Sequence, residues 1–228
     1  MDPVKKHDGM REDVKREFQL ERMILFSDAV FAIVITLMAI EIRLPEHVGT
    51  EAPLDAGVFL HLLPVVAAYA VSFFFIGAIW YQHLRLFSVL NDYDKGLVVR
   101  NLVLLFLVGL FPFSASVITH AKGAEPAFVT YLSVIYACVL AQFALQHYVL
   151  VQRPNLRANV DLTEHRTALR RRKLIVLSMG VALILMLITL YATSGTPAAQ
   201  MAVWWIMLMP VTLLVFGRKR GTAARVSK

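Results

Sequence analysis

Arg22, Ser27 and Asp28 stand at the head of a membrane-length apolar run that, apart from Thr36, holds no further polar residue until Glu41. Charge at the margin of such a run is costly and is usually kept for function. A carboxylate beside a hydroxyl can accept hydrogen bonds from neighbouring helices, whereas a lipid anchor has no use for either. Trp80 and His83 end the next apolar run, within Trp80, Tyr81, Gln82 and His83. The orientation derived below sets them at the depth of Ser27 and Asp28. Their ring N–H groups are therefore expected to donate to Asp28 or Ser27 and to set the angle of the first span. An interfacial aromatic belt is the competing reading for Trp80 and Tyr81.

Enzyme chemistry has no foothold. There is no Gly-x-x-x-x-Gly-Lys phosphate loop, no His-Glu-x-x-His and no Gly-x-Ser-x-Gly elbow, so no catalytic residue and no cofactor is expected. His61, His120 and His147 fall in different segments without metal-ligand spacing. A Thr-Val-Gly-Tyr-Gly filter loop is also missing, so any ion filter must be built from helix side chains. Cys138 is the single cysteine, which excludes an intrachain disulfide.

The elements that position these residues follow from composition. At 58% hydrophobic, 17% charged and a mean hydropathy of +0.63, the chain reads as a polytopic all-α membrane protein. Six runs of roughly 20 residues are long enough to cross a bilayer: 23–44, 58–84, 97–120, 127–151, 174–193 and 199–216. Pro112 interrupts the third, with Ser114 or Ser116 placed to take up the carbonyl it frees. In the fourth, Gln142, Gln146 and His147 are expected to make interhelical hydrogen bonds.

Lysine and arginine crowd residues 1–22, the link after the second span, the link after the fourth (Arg170, Arg171, Arg172 and Lys173 included) and the tail. The alternate links are poor in them, and 45–57 carries Glu46, Glu51 and Asp55. Six spans with both termini in the cytoplasm satisfy every link. The expected division is a cytoplasmic segment 1–22, a transmembrane domain 23–217 and a basic cytoplasmic tail 218–228. Acids mixed with bases in 1–22 and the long apolar run after them do not read as a cleaved signal peptide. The net charge of +7 is explained by orientation and by contact with anionic headgroups. The 170–173 cluster abuts a membrane span without interleaved aromatics, which argues against nucleic acid.

At about 100° per residue, Phe26, Ala29, Ile33, Thr36, Leu37 and Ile40 share one stripe of the first span. Asp28, Ala32, Ile35 and Ala39 form a neighbouring face, whose small residues suit close helix packing. Arg22, six positions before Asp28, is off that face. From the residues alone, lipid contact or ordinary core is the default for the first stripe, with Thr36 bonded to its own helix. Several copies facing one axis would instead stack Ile33, Leu37 and Ile40 as apolar rings with a hydroxyl ring between them. No internal repeat is visible, so a symmetric pore would require several chains.

Arg22-x-x-x-Phe26-Ser27-Asp28 followed by Ala-Val-Phe-Ala-Ile resembles the first-helix signature of the TMEM175 family of potassium channels. Trp80-x-x-His83 with Leu86-Phe87, and Leu110-Phe-Pro-Phe-Ser, are similar to later parts of the same plan. The resemblance implies a channel without a re-entrant loop, in which the first helix of each subunit lines the pore. A single six-helix unit implies a prokaryotic homotetramer in the plasma membrane, with potassium as the permeant ion and membrane lipids as the other partner. It implies an apolar constriction at Ile33, a hydroxyl layer tied to potassium preference at Thr36 and a further apolar layer at Ile40; Leu37 joins them by its place on the stripe. Arg22, Phe26, Ser27 and Asp28, with Trp80 and His83, would tie the first helix to its neighbours. Glu41 and Glu46 would concentrate cations at the outer mouth. A weakly selective cation or proton pathway is the runner-up, with a secondary transporter or a non-conducting scaffold behind it.

Overall fold

A computed structural model describes residues 3–40, 56–120, 124–158 and 162–192. The expected sixth span 199–216, the tail 218–228, and Glu41 and Glu46 lie outside the described residues. The described chain is helical: α1 (Pro3–Ile40), α2 (Ala56–Phe87), α3 (Lys95–Gly109), α4 (Phe111–His120), α5 (Ala124–His147) and α6 (Thr163–Ala192). A π-helical turn, Tyr148–Gln152, and a 3-10 turn, Pro154–Leu156, follow α5. Among the described residues there is no strand beyond an isolated bridge between Leu90 and Arg157. By length and composition, Val14–Ile40, Lys95–Val117, Pro126–Gln152 and Thr163–Ala192 can each cross a membrane. α2 covers the expected second span.

Two boundaries differ from expectation. α1 starts at Pro3, a residue suited to the first helical position, so residues 3–22 are helical and continuous with the first span. At 38 residues α1 is about 57 Å long, well beyond a hydrocarbon core of about 30 Å. α6 likewise begins eleven residues before 174, which makes the basic cluster 170–173 part of the helix. The third span breaks at Leu110, as expected from Pro112, which cannot donate back to the Val108 carbonyl. The Leu110 N–H turns back to Leu107 O and Val108 O instead. Ser114 Oγ donates to Phe111 O at 2.9 Å, so it does not serve the carbonyl that the proline frees.

α5 packs against α3, α4 and α6, while α1 lies against α2, α3 and α4. The core between them is built from large apolar groups such as Phe31, Ile76, Leu97, Leu104, Phe111 and Leu145. α1 contributes Leu20, Ser27, Phe31, Val34 and Met38, one continuous helical face. This corrects the expected packing face. Ala32 and Ala39 are exposed, because the bulky Phe31, Val34 and Met38 fill the space that neighbouring helices leave, about 120° around the helix from the alanine row. Gln142 and Gln146 are buried as expected of polar groups between helices. Yet the Gln142 amide and the Gln146 carbonyl oxygen meet no partner among the described residues.

One end of the bundle gathers the basic links. Arg16 pairs with Asp92 at 3.3 Å, Tyr93 donates to Gln19, and Arg85 pairs with Glu164 at 2.7 Å. The loop after α2 is stitched to the turn after α5 by Asn91 N–H to Leu156 O, 2.9 Å, and Ala158 N–H to Val89 O, 2.8 Å.

A candidate pore helix and the polar knot at its base

The base of α1 is held by a short chain of buried hydrogen bonds. Ser27 is fully buried, and its hydroxyl donates to Met23 O one turn earlier at 2.8 Å. The same oxygen accepts from Asn101 Nδ2 of α3 at 2.9 Å. Asn101 Oδ1 in turn accepts from His83 Nε2–H of α2 at 2.8 Å, which sets the histidine tautomer. His83 is 1% exposed; its ring stacks on Phe87 at 4.0 Å and tilts against Phe31 at 5.6 Å. Beside this chain, Trp80 Nε1–H donates to Asp28 Oδ1 at 2.8 Å.

Three helices therefore meet through Ser27 and Asp28 on α1, Trp80 and His83 on α2, and Asn101 on α3. Each buried donor in this chain has an acceptor, the condition for a polar cluster to stiffen a fold instead of weakening it. His83 reaches Ser27 only through Asn101, a bridge that the sequence reading missed. Asn101 is the single polar residue on the buried face Leu97, Asn101, Leu104, Leu105, Val108, and that pattern was the available signal. Arg22 and Phe26 stand outside the knot. The Arg22 guanidinium lies 5.9 Å over the Phe18 ring, and Phe26 is 54% exposed. Both side chains leave the helix about 100° or more from Asp28 and away from the packed face.

α3 is fixed at its first turn, which places Asn101. Asp94 caps it, accepting from Leu97 N–H at 2.7 Å. Tyr148 Oη donates to Asp94 Oδ2 at 2.6 Å, Arg153 stands 3.6 Å from the same oxygen, and the Arg100 guanidinium sits 3.9 Å over the Tyr148 ring. Burial favours the neutral form of Asp94. The Tyr148 and Leu97 hydrogen bonds and the Arg153 and Arg100 charges outweigh it and hold the carboxyl below its ordinary value. Gly96 lets Tyr148 approach, since a Cβ there would stand 2.7 Å from the tyrosine Cζ.

On the side of α1 opposite the packed face, Ile33, Leu37 and Ile40 are 55%, 44% and 65% exposed, and Thr36 is exposed between them. The Thr36 hydroxyl proton is committed to its own helix, to Ile33 O at 2.9 Å and Ala32 O at 3.1 Å. Its oxygen lone pairs thus remain free to face outward. No group of three or more potential metal-ligating side chains exists among the described residues.

The family model described as the endosomal/lysosomal potassium channel TMEM175 matches residues 22–112, the stretch that contains every member of the knot. The fold agrees with a solved lysosomal potassium-selective channel TMEM175 homologue from Chamaesiphon minutus: TM-score 0.63, 26% identity, 83% of this chain and 97% of that one. Over residues 22–112 the chain is similar to the TMEM175 family.

The chain is 34% identical over 132 residues to a potassium channel of Streptomyces collinus, spanning 54% of this chain and 61% of that one. It is 30% identical over 129 residues to a potassium channel of a Chryseobacterium species, spanning 57% and 64%. The human endosomal/lysosomal proton channel TMEM175 is 23% identical over 197 residues, 86% of this chain but 39% of the human protein. The chain thus spans less than two thirds of the length of these curated relatives. With its apolar helices, it is a multi-pass membrane protein.

Proposed function

We propose that this chain is one subunit of a potassium-selective channel whose central pore is lined by α1 of each copy. The carrying observation is the division of α1 into two faces. Ser27, Phe31, Val34 and Met38 are packed within the subunit, while Ile33, Thr36, Leu37 and Ile40 stand exposed on the other side. Four copies would bring that exposed face to one axis, with the knot setting the angle of each helix. The bacterial relatives' names, each a potassium channel, support the choice of ion.

Conduction in this reading is passive. Ile33 forms the narrowest apolar ring, which an ion crosses only by shedding water. Thr36 offers oxygens that replace part of the lost hydration shell. Six spans place both termini and the gathered basic links in the cytoplasm of a prokaryotic cell, by the excess of lysine and arginine there. No chemistry on a substrate is involved, and the ion is the sole cargo.

A second reading has a specific support: the human and chicken relatives carry the name proton channel. A pore of the same build that also passes sodium or protons is therefore the alternative. The test is the reversal potential of the purified protein in planar bilayers with potassium on one side and sodium on the other. Reversal close to the potassium equilibrium value is expected, and Ile33→Asn is expected to raise conductance and weaken selectivity. Reversal near zero, or a shift that follows a proton gradient, selects the leak. Silence from correctly assembled protein returns the scaffold, and saturable coupled flux the transporter. Unchanged currents in Ile33→Asn remove that residue from the pore.

A further inference from the structure

Apart from the pore helix and its knot, the molecule holds a cleft where α2 ends and α6 begins. It has a volume of about 500 Å³ and is lined by Arg85, Thr163, Glu164, Thr167, Ala168, Arg171, Arg172 and Ile175. That volume falls in the range of small-ligand sites. Three arginines face one carboxylate. Glu164 is already taken by Arg85 at 2.7 Å, and His165 from the same helix turn bonds the Arg85 carbonyl at 3.0 Å. Arg171 and Arg172 are left without an acid among the described residues. Arg172 Nη1 is moreover sealed from solvent with no hydrogen-bond partner among the described residues.

A guanidinium N–H withdrawn from water and left unpaired is costly, and an anion is the partner that relieves it. The guanidinium fork matches phosphate oxygens two at a time. Seven of the eight lining residues come from the first four turns of α6. Ile175 closes the cleft at the start of the apolar run of α6. A polar, cationic pocket at the margin of a membrane-length apolar run has the chemistry of an anionic headgroup site.

We propose that this cleft is a phosphate-binding site that takes the headgroup of an anionic phospholipid, with Arg171 and Arg172 as its ligands. Its placement at headgroup depth rests on the orientation proposed above. Its existence does not depend on ion conduction, and the test uses no current.

The experiment is native mass spectrometry of the full chain in detergent with palmitoyl-oleoyl phosphatidylglycerol, phosphatidylcholine as the control lipid, and inorganic phosphate as the soluble competitor. Thermal melting with and without phosphate runs alongside. The wild type is expected to retain phosphatidylglycerol and not phosphatidylcholine. Losing one charged contact in Arg171→Gln or Arg172→Gln is expected to weaken that binding by about tenfold. Arg170→Gln removes the same charge from the adjacent residue, which does not line the cleft, and is expected to bind as wild type. Arg171 is exposed, so its variant remains informative even if Arg172→Gln fails to fold. Melting that rises with phosphate in the wild type but not in Arg171→Gln, with lipid binding equal in every variant, keeps the phosphate chemistry and overturns the lipid as its source. Equal loss in Arg170→Gln and Arg171→Gln means diffuse surface attraction and overturns the site. So does binding that no substitution changes, and so does the absence of both lipid and phosphate binding.

Discussion

Asn101→Ala should be among the most damaging single truncations in the described bundle. The side chain is 1% exposed and bridges Ser27 Oγ at 2.9 Å to His83 Nε2 at 2.8 Å. Ser27 keeps its bond to Met23 O, so its loss is the smaller one, about 0.6 kcal/mol by the average for interhelical bonds in membranes. His83 has no substitute, because Phe31 and Phe87 flank its ring. Orphaning that buried donor costs about 1–3 kcal/mol. With the void left by the amide, the expected destabilisation is about 3 kcal/mol. The assay is equilibrium unfolding in mixed detergent micelles at fixed protein concentration, since assembly contributes to apparent stability. A double-mutant cycle with His83→Phe isolates the bridge, because the double variant leaves neither partner orphaned. It should fall short of the additive loss by about 2 kcal/mol. Additivity to within about 0.5 kcal/mol would refute the reasoning, since residues that do not touch behave that way.

Two further outcomes concern the junction that holds α3. Gly96→Ala should destabilise by about 1–3 kcal/mol in spite of alanine's better helix propensity, because its Cβ displaces the Tyr148 ring from Asp94; a melting temperature at or above that of the wild type would contradict the close approach. Asp94→Asn keeps the helix cap and loses the charge. The folded carboxyl titrates below its ordinary value of 3.8, so its stabilising charge is fully present above that pH and is lost as pH falls through the folded value. Wild type should therefore out-melt the variant near neutral pH and converge with it in acid. A gap that persists at low pH would place the effect elsewhere.

Much of this protein was legible in the sequence because its code is local. Hydropathy marked the spans, lysine and arginine marked the links that gather at one end, and the 3.6-residue period separated Ile33, Thr36, Leu37 and Ile40 from Asp28 on α1. Those patterns need only helix geometry and the cost of burying charge. Tertiary structure decided what lies opposite what. It chose the bulky row Phe31, Val34 and Met38, not the alanine row, as the packed face, because the volume to be filled is set by α2, α3 and α4. It inserted Asn101 between Ser27 and His83, residues 56 apart in the chain, since hydrogen-bond distance across three helices leaves no trace in any one of them. It also set Arg171 and Arg172 beside a cleft with too few acids, which a count of charges along the chain does not reveal.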